Sequence, residues 1–347
     1  METCPACTIG YCPSMLSGLL LAASAHAAHW SVPVATVADA EPSGCAAGPY
    51  RATIALTLEA PGLVHVEVAE WEGPAAVGLS EGPRVCHGTT LLPEPGAADA
   101  AAPGSMARWL SAGDHVVELV SEQSVSAVVS VSVVTPELLV AFGMSPALAD
   151  AALAAADHAW TEGHARRPSL AVLDFSLPST AERFWLLDLA TGSLTLRSFV
   201  SHGKGSGHAH DPARSVRFSN QPFSNQTSLG LFRASETYTG DHGRSLRLDG
   251  LEPVVNDLAR DRAIVMHGAE YARIDHIDAW GYLGRSHGCP ALDDRSVQSV
   301  IDELHDGGLV YAWGGARQTP CCTLRAGTEA SPDAPYLPDP LGLVSIY

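Results

Sequence analysis

The stretch 264–291, IVMHGAEYARIDHIDAWGYLGRSHGCPA, holds the side chains best suited to covalent chemistry. His267 ends an apolar run and is followed by Gly268; further on, Ser286-His287-Gly288-Cys289 forms a glycine-flanked turn closed by Pro290. Thiol acyl chemistry needs these parts. A base or imidazolium must take the thiol proton. A third group must fix the ring of that base, and backbone N–H groups must receive the oxyanion. A glycine ahead of the cysteine lets the chain turn tightly enough to aim those donors. The bland alternative for Cys289 is a buried structural thiol, since free cysteine is among the most buried residues. For His267 it is a satisfied core histidine. Glycine and proline around Cys289, in a polar turn, point instead to a reactive site. His287 reads equally well as pocket wall or structural hydrogen-bonding group.

Other chemistry-bearing residues say less. His208-Ala209-His210 with His242 has loosely metal-like spacing, but no HExxH-type helix accompanies it, so no metal is expected. His202-Gly-Lys-Gly-Ser-Gly207 is glycine-rich yet lacks P-loop spacing. Cys4-Pro-Ala-Cys7 is a lone CxxC without a supporting element. Cys45 and Cys86 could pair if the chain is exported. Cys321-Cys322 lies in a Pro/Gly-rich tail.

The elements that must position the turn can be read from periodicity. Alternation over 53–58, 63–68, 115–120 and 125–134 predicts short strands of an antiparallel β-sandwich. His65 is expected as a half-exposed strand residue there. Ser145 and Pro146 open a helix through Trp160. Strands follow at 170–175, 183–189, 194–200, 228–232, 263–267 and 309–313, with a helix at 297–304 capped by Ser296. The predicted fold class is mainly β with short helices. The expected organisation is a signal peptide at 1–28, a linker at 29–48, the sandwich at 49–135, a catalytic domain at 136–315 and a tail at 316–347. The leader rests on the apolar Met15–Ala23 run ahead of Ala25-His26-Ala27; it is too short to span a bilayer and has no basic n-region.

The region from Pro146 to Gly314 resembles the L,D-transpeptidases, and more closely the murein L,D-transpeptidase catalytic domain subgroup. The resemblance is carried by His267, by Ser286-His287-Gly288-Cys289, and by 173–179, 187–192, 202–207, 217–220, 228–230 and 245–251. It implies a β catalytic domain that acts on peptidoglycan stem peptides without a cofactor. The thiol attacks the bond between a diamino acid and D-Ala, and a second stem's amine resolves the thioester into a 3→3 cross-link. Water in place of that amine would make the protein an L,D-carboxypeptidase. Carried over by position, Cys289 is the nucleophile, His267 the base and the Gly268 carbonyl its orienter. Gly288 and Cys289 supply oxyanion N–H groups, while Ser286 and His287 shape the pocket. Arg285, Arg217 and Arg273 are candidates for the substrate carboxylate. Ser228 and Gly230 stand where the family commonly has Thr-Pro-x-Gly, with Ser228 in place of proline. Many members carry Arg or Asn two residues after the cysteine; here the sequence is Cys289-Pro290-Ala291.

Bulk composition bounds the rest. The 347 residues are 46% hydrophobic and 17% charged, enough for two globular cores. A net charge of -18 without a basic run excludes nucleic acid as a natural partner. The expected location is periplasm or cell wall, with no membrane span after processing. The sandwich is assigned, on architecture alone, to holding the wall or a protein partner. A protein of another class, a catalytically idle wall-binding module, is separated from the enzyme by thiol reactivity.

Overall fold

The computed structural model describes residues 19–23, 28–38, 45, 48–71, 73–81, 85–92 and 104–315. The first strands are β1 (Leu19–Ala23), β2 (Ala28–Ala35), β3 (Val37–Ala38), β4 (Tyr50–Leu58), β5 (Gly62–Ala69), β6 (Ala75–Glu81), β7 (Val85–Leu91), β8 (Gly104–Leu110), β9 (Gly113–Ser121) and β10 (Ser126–Val134). They form two sheets, β1-β4-β9-β6-β7 with β3 on β4, and β2-β10-β5-β8. All pairs are antiparallel except β1 on β4. Alternation puts Ile54, Leu56, Val77 and Leu119 of one sheet against Val64, Val66, Val129 and Val131 of the other. Cys45 and Cys86 are joined by a disulfide, with Cα atoms 5.0 Å apart.

Two expectations change here. Residues 28–35, assigned to the leader's last position and the linker, form a strand on β10. Ala, Ser and Pro hide a period of two in which Trp30, Val32 and Val34 lean on the core while His29, Ser31 and Pro33 face out. Pro33 is tolerated because β2 is an edge strand. Leu19–Ala23, within the expected leader, pairs with β4; residues 1–18 and 24–27, including Cys4, Cys7 and Cys12, lie outside the described residues, as does the tail from 316 onward. His65 is buried rather than half-exposed, its ring edge-on to Trp160 at 5.5 Å. Burial pulls its pKa down to about 4.

Two helices follow, α1 (Pro136–Ala141) and α2 (Pro146–Thr161). Thr135 and Ser145 each cap a helix through the side-chain oxygen, with proline at the first turn. Alanines let α2 lie close between two layers. Its Leu148, Ala152, Ala156 and Ala159 share one core with Leu63, Ala107 and Val134 of the sandwich and with Leu170, Trp185 and Tyr311 beyond.

That further layer is an eight-stranded sheet ordered β13-β12-β11-β18-β14-β15-β16-β17. Its strands are β11 (Ser169–Asp174), β12 (Phe184–Asp188), β13 (Ser193–Ser198), β14 (Gly230–Gly240), β15 (Gly243–Gly250), β16 (Val265–Gly268), β17 (Ala291–Leu292) and β18 (Leu309–Trp313). Pairs β11–β18 and β16–β17 are parallel. Its other face packs on α4 (Val297–Leu304) through Val297, Val300, Ile301 and Leu304. Ser296 sits at the cap position of α4 without a capping side-chain bond. A short α3 (Ile274–Trp280) lies between β16 and β17. The fold is thus mainly β, as its alternating patterns predict. Among the described residues no helix is long and apolar enough to cross a membrane.

Candidate active site

Parallel pairing of the two shortest strands of the eight-stranded sheet builds the site. The register sets His267 opposite Ala291 and Gly268 opposite Leu292. Cys289, two residues ahead of Ala291, therefore turns in beside the first residue of β16. There the Cys289 thiol lies 3.6 Å from the Ala263 carbonyl and receives the Val265 N–H. Burial raises the thiol's pKa; the Val265 N–H and the Arg262 charge oppose that rise. His267 is buried, and its Nδ1 donates to the Gly268 carbonyl at 3.0 Å. That bond leaves Nε2 as the lone-pair nitrogen. Burial lowers the His267 pKa, and the nearby His242 lowers it further, against the bond to Gly268. Tyr271 stands edge-on to His267 at 6.5 Å, and its phenol is pushed up to about 12, first by burial and then by the Cys289 charge.

The turn itself is locked by the glycine-rich loop. Ser286 N–H donates to the His202 carbonyl at 3.0 Å and Lys204 N–H to the Ser286 carbonyl at 2.8 Å. A side chain on Gly203 would meet the Asn225 carbonyl and, at 2.9 Å, the Cα of Gly288. Gly288 has φ +131°, a conformation open to glycine alone in practice. Ser286 Oγ donates to the Cys289 carbonyl at 2.6 Å and receives the Gly288 N–H at 3.0 Å. The Gly288 N–H, expected to face an oxyanion, is therefore turned into the loop instead. Lys204, the only lysine of the sequence, donates to His287 Nε2 at 2.9 Å, so His287 faces solvent at the rim.

The substrate-binding candidates divide. Arg285 and Arg217 both come to Gly207, the latter donating to its carbonyl at 3.4 Å, and Arg285 lies over the Tyr282 ring at 5.9 Å. Arg273 is committed elsewhere: it grips Asp294 with bonds of 2.6 and 2.5 Å. Ser228 is buried and hydrogen-bonded to the Ser219 carbonyl and to Arg262, and it lines a small cavity with Gly288 and Pro290. Gly230 has φ +93°, and a Cβ there would press on the Glu252 carboxylate at 2.9 Å; its role is packing.

Arg262 is the residue that sequence reasoning missed. Its guanidinium donates to the Ser219 carbonyl (2.6 Å), Gln226 carbonyl (2.7 Å) and Ser224 Oγ (3.3 Å), besides Ser228. It thereby sets a permanent positive charge beside Cys289. No motif marks it, because one arginine among polar residues has no periodic signature. Lys204 had a signal in the glycine-rich loop. Tyr271 follows the His-Gly pair closely, whereas His242 is brought in from another hairpin. Phe223, Asn225, Val254 and Ala263 all hold positive φ in the loops around this corner, strain of the kind that gathers at functional sites. The metal-like histidines are parted: His208 and His210 stack edge-on at 5.9 Å while His242 lies on His267.

The mainly β domain holds a partly exposed cysteine in a glycine turn and a histidine oriented by the next residue's carbonyl, parts that thiol acyl transfer can use. Residues 142–313 match the sequence profile of the L,D-transpeptidase catalytic domain, and this region of the chain belongs to that family. No curated protein matches the chain. A similar solved structure is an L,D-transpeptidase from Mycobacterium smegmatis, at 16% identity and TM-score 0.27, covering 42% of this chain and 59% of that one. The chain thus spans under two thirds of that protein. Another is the periplasmic inhibitor of g-type lysozyme PliG from Aeromonas hydrophila, at 14% identity and TM-score 0.22, covering 33% of this chain and 96% of that one. The family assignment rests on the sequence match and not on these structures.

Proposed function

We propose that the protein is a peptidoglycan L,D-transpeptidase working through a Cys289 thioester. The observation that carries the reading is the β16–β17 register, which sets the Cys289 turn beside a histidine whose Nδ1 is held by the next residue's carbonyl. A raised thiol pKa and a lowered imidazole pKa favour a neutral resting pair. His267 Nε2 therefore takes the thiol proton as sulfur attacks the diamino acid carbonyl. Arg262 stabilises the charge that develops on sulfur. The C–N bond to the terminal D-residue breaks, and the leaving amine takes the proton from His267. A second stem's amine then attacks the thioester, forms the new amide and returns a proton to Cys289. The Cys289 N–H is the oxyanion donor that remains in this turn. Lys204, Arg217 and Arg285 form a cationic rim for the stem's carboxylate. The Cys45–Cys86 disulfide supports export to an oxidising compartment.

Intact-protein mass spectrometry after exposure to a carbapenem tests the reading. Wild type should gain one adduct and Cys289→Ala none. A folded wild type that stays unmodified, with its thiol free, would overturn it in favour of an idle wall-binding module. Incubation with tetrapeptide stems should then give cross-linked dimers; tripeptide alone would assign hydrolysis instead.

A further inference from the structure

The hairpin between β14 and β15 carries a second imidazole onto the first. His242, at its tip, lies flat on His267, with ring centroids 4.2 Å apart and planes inclined by 16°. His242 is itself exposed to solvent, so no core packing requires it there. We infer that His242 is a positioning residue for the base. It covers one face of the His267 ring, excludes water from it and fixes its plane, so that Nε2 is presented to the Cys289 thiol. This inference rests on the proposed Cys289–His267 pair.

The need for such a cover follows from geometry. A ring held only through Nδ1 can still tilt about the Nδ1–Gly268 hydrogen bond. Tyr271 meets an edge of the ring at 6.5 Å and the Gly268 carbonyl fixes one nitrogen, so the stack supplies the remaining constraint. The charged and titratable groups facing the two rings are few. Tyr271, pushed up to about 12, stays neutral across the working range, and Cys289 lies on the turn opposite. Along the hairpin, Asp241 and Arg244 flank His242, and Arg244 is paired with Asp302 at 2.6 Å. Removing His242 would hydrate the His267 face and end its electrostatic effect on that ring; both raise the His267 pKa.

The experiment follows carbapenem acylation of Cys289 against pH, together with the NMR titration of the His267 ring, in wild type, His242→Ala, His242→Phe and His267→Ala. Position 242 is an exposed turn, so its variants should fold. His242→Ala should move the His267 midpoint to higher pH and slow acylation near neutrality by about tenfold, within what orientation of a base supplies. His242→Phe should restore the rate, because a flat ring is what the stack needs. A His242→Ala protein with unchanged midpoint and rate overturns the inference. So does a His242→Phe protein as slow as His242→Ala. If His267→Ala acylates with the wild-type pH profile, the base assignment itself falls and this inference falls with it.

Discussion

The sandwich and the eight-stranded sheet bury polar groups to different ends. In the sandwich the inward row is almost wholly aliphatic, and the buried His65 meets an indole edge with its Nε2 unpartnered. Beyond α2, buried polar side chains instead hold loops by their backbones. Arg183, fully buried, donates to the Leu177 carbonyl (2.7 Å), the Val200 carbonyl (2.9 Å) and His202 Nδ1 (2.9 Å). Asn256 spans the Leu229 and Leu231 carbonyls at 2.9 Å each. Arg262 does the same for 219–228. The sandwich uses buried polar groups mainly at its strand ends, where Thr36 receives the Val125 N–H at 2.8 Å and His115 Nε2 meets the Ser111 carbonyl at 2.9 Å; the other region uses buried donors to fix irregular chain around a cysteine.

Breaking a donor in the second region should cost most. Arg183→Met leaves three buried acceptors unpaired and is expected to destabilise by about 3–5 kcal/mol. Chemical denaturation would measure it, and alkylation of Cys289 should slow as the 200–207 loop slackens. A cost below about 1 kcal/mol would show that these loops hold without it.

Acid sharpens the contrast next. The His65 pKa is about 4 in the fold and that of His202 about 3, both below the ordinary histidine value of 6.5. For His202 burial acts first, then the charges of Arg183 and Arg285. The unfolded chain binds more protons than the folded one between those values. Stability is therefore full above pH 6.5 and is lost as pH falls toward 4 at His65 and 3 at His202. For His65 alone the loss is about 3 kcal/mol. His65→Phe should flatten part of this slope in thermal melts and leave carbapenem acylation unchanged. His202→Phe should flatten another part but impair acylation, because its ring nitrogen takes an Arg183 bond. Equal effects of the two on acylation would erase the distinction drawn here. The smallest change in stability is expected at Arg273→Gln, as for exposed ion pairs, with acylation unaltered. A clear loss of acylation would return Arg273 to the substrate site.

The same contrast explains what could be read from the chain. Aliphatic alternation announces a sandwich, and Ser145-Pro146 announces α2 with its cap. Strand β18 falls at 309–313 as its apolar run predicts. His267 and Cys289 are legible because their neighbours are glycines at special backbone positions. The β14–β15 hairpin was only partly legible: a strand was expected at 228–232, but the pair runs 230–250 with a bulge between Ala234 and Thr237 that breaks the period of two. Strand β2 was hidden by its Ala, Ser and Pro content. Arg262 and His242 could not be found from periodicity, since what makes them matter is a contact between distant loops. The grouping of Ser228 and Gly230 with substrate came from position in a family pattern and that of Arg273 from closeness to the motif; in the fold Ser228 bonds to Arg262, Gly230 packs on Glu252 and Arg273 pairs with Asp294.

Lys204 has a further consequence. A protein of 347 residues with one lysine offers a single ε-amino group to any acylating species, and that group is engaged with His287 two positions from the nucleophile. Among its side-chain amines an activated ester has one to modify, with the proposed nucleophile Cys289 competing for the same reagent. A fluorophore placed there, with Cys289 protected during labelling, needs no engineered cysteine. The sequence thus supplies its own reporter beside His287, and its emission would register each occupant that approaches that rim.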